Sequence, residues 1–275
     1  MAYRENGTKM TLPPNRETMT IEQPRKRSRL KVIAVVGLVA LVIGGYGLYR
    51  YFSGDAPDPV DLDRTVAAVT TTVADGSTTT PADGSATTLA DGGVEGSWTV
   101  DTSIGDFAFD DATASFAGFR VDEELAGIGA AEAVGRTPEV SGSIEITGTT
   151  LQAATIEADL TAIVSNEPRR EAAIQRALDT STNPLATFTL TSPVDFGEAA
   201  ATGARISVTA VGDLTVNGVT NPVEIPIEAQ LVEGNILVTG SLPIVFADYD
   251  VTAPRAPIVL SVADNGTLEF QLWLS

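Results

Sequence analysis

The 275-residue chain contains no cysteine and no histidine. Their absence removes disulfides, thiol nucleophiles, Cys/His zinc centres, His-ligated haem and any Ser-His-Asp triad built from its own residues. Lysine does not occur after Lys31, and aromatic residues make up only 6% of the sequence. A domain without disulfides must hold itself together by its core. About 180 residues towards the C-terminus are enough for one such core.

Charge of one sign is scarce in each part of the chain. Residues 1–31 carry eight Lys/Arg and three Glu, while residues 53–275 carry eight Arg against 33 Asp/Glu. With Arg50, the sum is the overall −19. An acidic outer part of this kind repels phosphate backbones, which argues against nucleic-acid binding there.

Between these parts runs Val32 to Tyr49 (VIAVVGLVALVIGGYGLY), eighteen residues without a charge. At about 1.5 Å rise per residue they reach roughly 27 Å, close to the hydrocarbon thickness of a bilayer. The basic run Arg25, Lys26, Arg27, Arg29 and Lys31 precedes it. The sequence therefore predicts a single transmembrane helix over residues 32–52, with the basic tail 1–31 cytoplasmic and the C-terminal domain across the membrane. A cleaved signal peptide fits less well, because Arg50, Tyr51 and Phe52 follow where a small-x-small site would stand.

Residues 53–96 read as a flexible linker. Within it lies a threefold octapeptide repeat, TTVADGST (71–78), TTPADGSA (79–86) and TTLADGGV (87–94). Its Thr, Asp and Gly cannot bury enough apolar area to offset chain entropy. One acid per repeat is too few for a calcium ladder.

From Ser97 onward the apolar period becomes two. Ile156 to Val164, Phe188 with Leu190, Ile206 to Val216, Val223 to Leu231, Ile236 to Phe246 and Leu268 to Leu274 each alternate with polar neighbours. Such segments are half-buried antiparallel strands. Glu233-Gly234-Asn235 and Asp264-Asn265-Gly266 supply turns. Glu167 to Leu178 instead spaces Ala173, Ile174, Ala177 and Leu178 along one side of a short helix. Seven or eight strands with one short helix make an all-β domain, either a barrel or a sandwich. Periodicity does not choose between them.

Specific strings go further. WTVD (98–101), Arg120, AVGRT (133–137) and Val140-Ser141-Gly142 resemble the opening strands of the YceI-like family. NEPRREAAIQRALDTSTNPLATFTLTSP (166–193) is similar to that family's central motif, and GDLTVNGVTNPVEIPI (212–227) to its G-x-L-T-x-x-G-V-T-x-x-V signature. LPIVFADYDV (242–251) and NGTLEFQLWL (265–274) resemble the ending of an actinobacterial-type branch. The chain departs from the pattern at Asn183, where an aromatic residue is usual, at Arg170-Glu171 in place of an arginine-aspartate pair, and in lacking an early histidine.

The resemblance implies a lipocalin-like antiparallel β-barrel over residues 97–275 with an elongated apolar pocket for an isoprenoid-type or other long apolar lipid. The candidate pocket lining is Phe188, Leu190, Ile174, Phe246, Leu160 and Val208, with Ile174 closing one end. Arg136, Arg120 and Arg170 are the candidates for a lipid head group, since guanidinium suits phosphate oxygens. The acid clusters Asp106/Asp110/Asp111, Asp122/Glu123/Glu124 and Asp248/Asp250 show neither a metal-loop spacing nor a nucleophile beside a base. No catalytic residue, metal or cofactor is assigned, and the chain reads as a binding protein rather than an enzyme. The partners expected are the lipid and the membrane; a homodimer is left open. The other reading is an envelope interaction or adhesion module with a solid β core.

Overall fold

The computed structural model describes residues 56–74, 93–254 and 259–275. The expected basic tail, the transmembrane helix over 32–52 and most of the octapeptide repeat lie outside the described residues. Among the described residues no helix is long and apolar enough to cross a membrane.

The strands form one sheet. In chain order they are β1 (Gly96–Thr99), β2 (Phe116–Leu125), β3 (Gly129–Thr137), β4 (Val140–Thr147), β5 (Thr150–Asp159), β6 (Val164–Ser165), β7 (Leu185–Leu190), β8 (Val194–Asp195), β9 (Ile206–Val216), β10 (Val219–Val232), β11 (Asn235–Val245), β12 (Val259–Val262) and β13 (Asn265–Leu274). Their spatial order is β1-β4-β5-β7-β9-β10-β11-β13-β2-β3-β6, with β12 on β2 and β8 on β5. Every strand pair is antiparallel. The sheet curls until β1 meets β13: Val100 bridges Leu274, and Thr99 and Ser275 exchange backbone hydrogen bonds of 2.9 and 3.0 Å. This is the lipocalin-like all-β fold.

Local chemistry sets the register. Asn217 and Gly218, with φ of 52° and 75°, close the β9–β10 hairpin, and Glu233 and Gly234, with 50° and 86°, close β10–β11. Two successive positive φ values match a turn whose twist suits right-handed strands. Glu167 accepts from the Arg169 backbone N–H, Pro168 opens a 3-10 turn, and α2 (Glu171–Ala177) follows as the expected short helix. The alternation read over Ile156 to Val164 is interrupted: Leu160–Ala162 form a 3-10 turn between β5 and β6, capped by Asp159.

The expected linker over 53–96 needs correction. Residues 56–74 lie folded against the outer face of the sheet, with α1 (Leu62–Ala74) as their helical part. Leu62 is fully buried beside Val232, Leu237 and Trp273, and Val66 and Val69 pack over the same group. Thr65 donates to the Gln271 side chain on β13. Leu62, Val66 and Val69 face the sheet only because the sheet offers an apolar outer patch to meet them. A period-3.6 pattern of such short length carries no information about its partner.

Candidate functional site

The lumen has two unlike halves. At the end marked by the β4–β5 and β10–β11 turns, Trp98, Ile144, Ile146, Leu151, Ile236 and Leu274 pack into a filled core. A void of about 60 Å³ lies there. A middle layer of Val140, Ala158, Phe270 and Leu272 closes it off. Beyond that layer lies a cavity of about 360 Å³.

Strand direction explains what faces this cavity. Along β2 the odd residues Ala117, Phe119, Val121, Glu123 and Leu125 line it, as do Ala133 and Thr137 of β3. Ile174 and Ala173 on α2, with Leu178 just after it, form one side; Phe246, Tyr249 and Val251 after β11, with Val259 and Val262 of β12, form another. The walls are apolar except at the end under α2, where Glu123, Glu167, Arg169 and Arg170 gather. Arg170 pairs with Glu123 and donates to Asn166 Oδ1 at 3.0 Å. Burial pushes the Glu123 carboxyl up, and the Arg170 guanidinium opposes that shift. A carboxylate with 4% of its side chain exposed is tolerable there only because the cation sits on it.

The lining residues predicted from sequence divide accordingly. Ile174, Leu160 and Phe246 line the cavity. Ile174 is buried against Leu160 and Ile163 at the α2 end. Phe188 and Leu190 do not line it: Leu190 packs on the filled half, and the Phe188 ring lies over Gly212, where a Cβ would come within 2.5 Å of it. Val208 faces the small void. Alternation identifies the inward face of a strand but not the depth of each residue along the lumen.

The arginines separate more sharply. Arg170 lines the cavity. Arg120 and Arg136 face the opposite side of the sheet and take no part in it, which corrects their assignment to a lipid head group. Their partner is Glu269 on β13, 1% exposed. Arg120 Nε donates to Glu269 Oε2 at 2.7 Å, and Arg136 Nη2 to Oε1 at 2.8 Å. Arg120 Nη1 reaches Glu132 Oε2 at 2.8 Å. Further guanidinium N–H groups donate to the backbone of the covering segments: Arg120 to the Pro57 carbonyl at 2.6 Å, and Arg136 to those of Asp58 at 3.0 Å and Phe109 at 3.1 Å. The Arg136 guanidinium also stacks 4.5 Å from the Phe116 ring centre. Burial pushes Arg136 down, and Glu269 opposes that shift. These cations are used up inside the protein.

Sequence reasoning missed Glu123 as a lumen group and Glu269 as the hub of the outer cluster. Glu123 shares the parity of Phe119 and Val121, which was a signal; Glu269 alternates with Leu268 and Phe270 like any outward polar residue and carried none. Among the described residues, no group of acidic side chains could hold a metal ion.

A curled antiparallel sheet around a partly unfilled apolar lumen defines a lipocalin-like all-β domain. Residues 107–274 match the YceI-like domain, and the chain belongs to that family. No curated protein sequence matches it. Among solved structures it is similar to a polyisoprenoid binding domain from Saccharophagus degradans, at 20% identity over 66% of this chain and 98% of the other, with a TM-score of 0.48. BcnA from Burkholderia cenocepacia is similar at 18% identity over 63% and 98%, with a TM-score of 0.44. The YceI protein of Campylobacter jejuni follows at 13% identity over 50% and 82%, with a TM-score of 0.41.

Proposed function

We propose that this chain is a membrane-anchored extracytoplasmic binding protein that holds a long apolar, isoprenoid-type lipid in its barrel, for sequestration or transfer in the cell envelope. The observation that carries the reading is the apolar cavity of about 360 Å³. An apolar cavity of about 150 Å³ stays dry and accepts benzene, so this one has room for about fourteen carbons, roughly three isoprene units. At ~0.8 kcal/mol per buried methylene, such a segment gains on the order of 11 kcal/mol before ordering costs. A longer chain must displace lining side chains or leave part of its length outside the cavity. The Arg170–Glu123 pair is the polar feature placed to meet a head group, with Arg169 beside it.

The uncharged run 32–49 behind a basic tail supports anchoring with the barrel outside the cytoplasm. Binding of this kind involves no covalent step and needs no cofactor. A solid-core interaction module has no use for an apolar cavity of this size.

The test is mass spectrometry of lipid extracted from residues 53–275, purified without detergent from the native host. A prenyl lipid at near one-to-one stoichiometry is the expected result. An empty domain whose melting temperature is unmoved by prenols, quinones and prenyl phosphates would sink the proposal.

A further inference from the structure

We infer that two phenylalanine–glycine pairs, Phe119 with Gly135 and Phe270 with Gly240, set the length of apolar chain that the lumen accepts, with Phe270 as the partition at which the guest stops. The inference rests on the lipid-binding reading above and adds the residues that decide chain length.

Each pair is a ring lying across the neighbouring strand. Phe119 on β2 stands opposite Gly135 on β3, and Phe270 on β13 opposite Gly240 on β11. A Cβ on Gly135 would come within 2.6 Å of the Phe119 ring, and one on Gly240 within 2.5 Å of the Phe270 ring. In both cases the ring is the nearest obstacle. Neither glycine has a positive φ, so the backbone does not require it. Glycine inside a strand weakens the strand and marks a place where something approaches the backbone closely. At these two positions the approaching group is the ring. Phe188 over Gly212 differs, because the Thr189 carbonyl crowds a Cβ there at 2.4 Å and gives that glycine a backbone reason of its own.

The two rings turn in opposite directions. The strands stand in the order β11-β13-β2-β3, so Phe270 lies towards β11 and Phe119 towards β3. Between them, Ala117 is opposite Phe270 and Leu268 is opposite Phe119, and both of these smaller side chains line the cavity. A Cβ at position 135 would drive the Phe119 ring off its wall and into the space that Ala117 and Leu268 border. The cavity exists on this wall because the rings are folded aside.

Phe270 has a second role by position. It packs with Val140, Ala158 and Leu272 in the layer between the two halves of the lumen. On one side its neighbours Ala117 and Leu268 face the cavity of about 360 Å³. On the other, Gly240 is opposite Ile227, which lines the void of about 60 Å³. Phe270 therefore stands between the two spaces. Shortening it joins them, and Ile227 and Val238 offer an entering chain another apolar wall. With the polar end of the lipid at the Arg170–Glu123 pair, the far end of the chain comes to Phe270.

The test is photolabelling of the purified full-length protein with prenyl alcohols of two, three and four isoprene units, each carrying a diazirine at its far end. Label is counted only on peptides holding β2 or β13. Labelling of the unaltered protein should fall off beyond three units, the length that matches the cavity. Gly135→Ala should reduce three-unit labelling severalfold and spare two units, and adding Phe119→Ala to it should restore three units. Phe270→Leu should raise four-unit labelling severalfold, and Phe119→Leu, which leaves the backbone alone, should widen the accepted range in the same direction if Gly135→Ala does not fold. An unaltered protein labelled equally by all three chains would overturn the inference. So would folded variants whose length profiles coincide with that of the unaltered protein; in both cases the cavity would stand as the binding site. Absence of label on either strand at every length would overturn the lipid-binding reading itself.

Discussion

The two faces of the sheet formed by β13, β2 and β3 are both buried, yet they are built from opposite materials. The inner face is apolar and leaves a cavity unfilled. The outer face is close-packed around a carboxylate shared by two guanidiniums, with residues 56–74 and the segment before β2 laid over it. An apolar surface can stay unfilled at the cost of dispersion contacts, so it can remain available to a ligand. A buried ion cluster has no such freedom, because each hydrogen left without an acceptor carries a desolvation penalty. The outer face is therefore where the fold is held, and the inner face is where something else can be held.

That contrast can be broken most severely by removing the cover. A chain starting at residue 97 exposes Leu237 and Trp273 and takes the Pro57 and Asp58 carbonyls from Arg120 and Arg136. Several residues' worth of burial is lost, and we expect it to be less stable than residues 53–275 by more than about 5 kcal/mol in urea denaturation. Equal stability would show the segment to be a passive covering. Next in size is Glu269→Ala, which strands two buried cations and should cost about 3–5 kcal/mol. The check is equilibrium unfolding, and a loss below about 1 kcal/mol would mean that water reaches the cluster.

A change on the inner face should behave in the reverse sense. Ala133→Phe places a ring in the cavity, and we expect lipid retention to be lost while stability moves by less than about 1.5 kcal/mol. Retained lipid at unchanged stoichiometry would put the guest elsewhere. The smallest effect is one of pH. Glu123 has its folded pKa raised, so its contribution to stability is present below its unfolded value near 4.5 and is lost as pH rises through the folded value. Glu123→Gln should remove that dependence. The two proteins' unfolding free energies, compared from pH 4 to pH 8, should diverge on the acidic side; parallel curves would mean that Arg170 neutralises the burial cost.

Strand legibility followed how many faces were buried. β9, β10 and β11 have one apolar side over most of their length and were found by alternation with nearly correct bounds. β2 and β3 yielded no periodic signal and were reached only through family strings. β2 (FAGFRVDEEL) carries Arg120 and Phe116 outward under cover and Glu123 inward, so polarity does not alternate with burial. The candidate site was legible in part for a related reason. Alternation placed Leu160 and Phe246 in the lumen and helical spacing placed Ile174 there, but whether a lumen residue borders a cavity depends on which rings fold over which glycines, as Phe188 does over Gly212.

Spacing and composition along the chain specify the strand-rich domain, its hairpin turns, the short helix, the charge asymmetry and the uncharged run ahead of it. These are local properties, written in spacing and composition. Folding in three dimensions turns Arg120 and Arg136 to Glu269 and away from the lumen, brings residues 56–74 into the fold, and leaves the cavity in one half of the barrel. Each of those depends on contacts between residues more than 60 positions apart, Arg120 and Pro57 among them. No local pattern carries that information, because burial of a charge is settled by the partner that meets it.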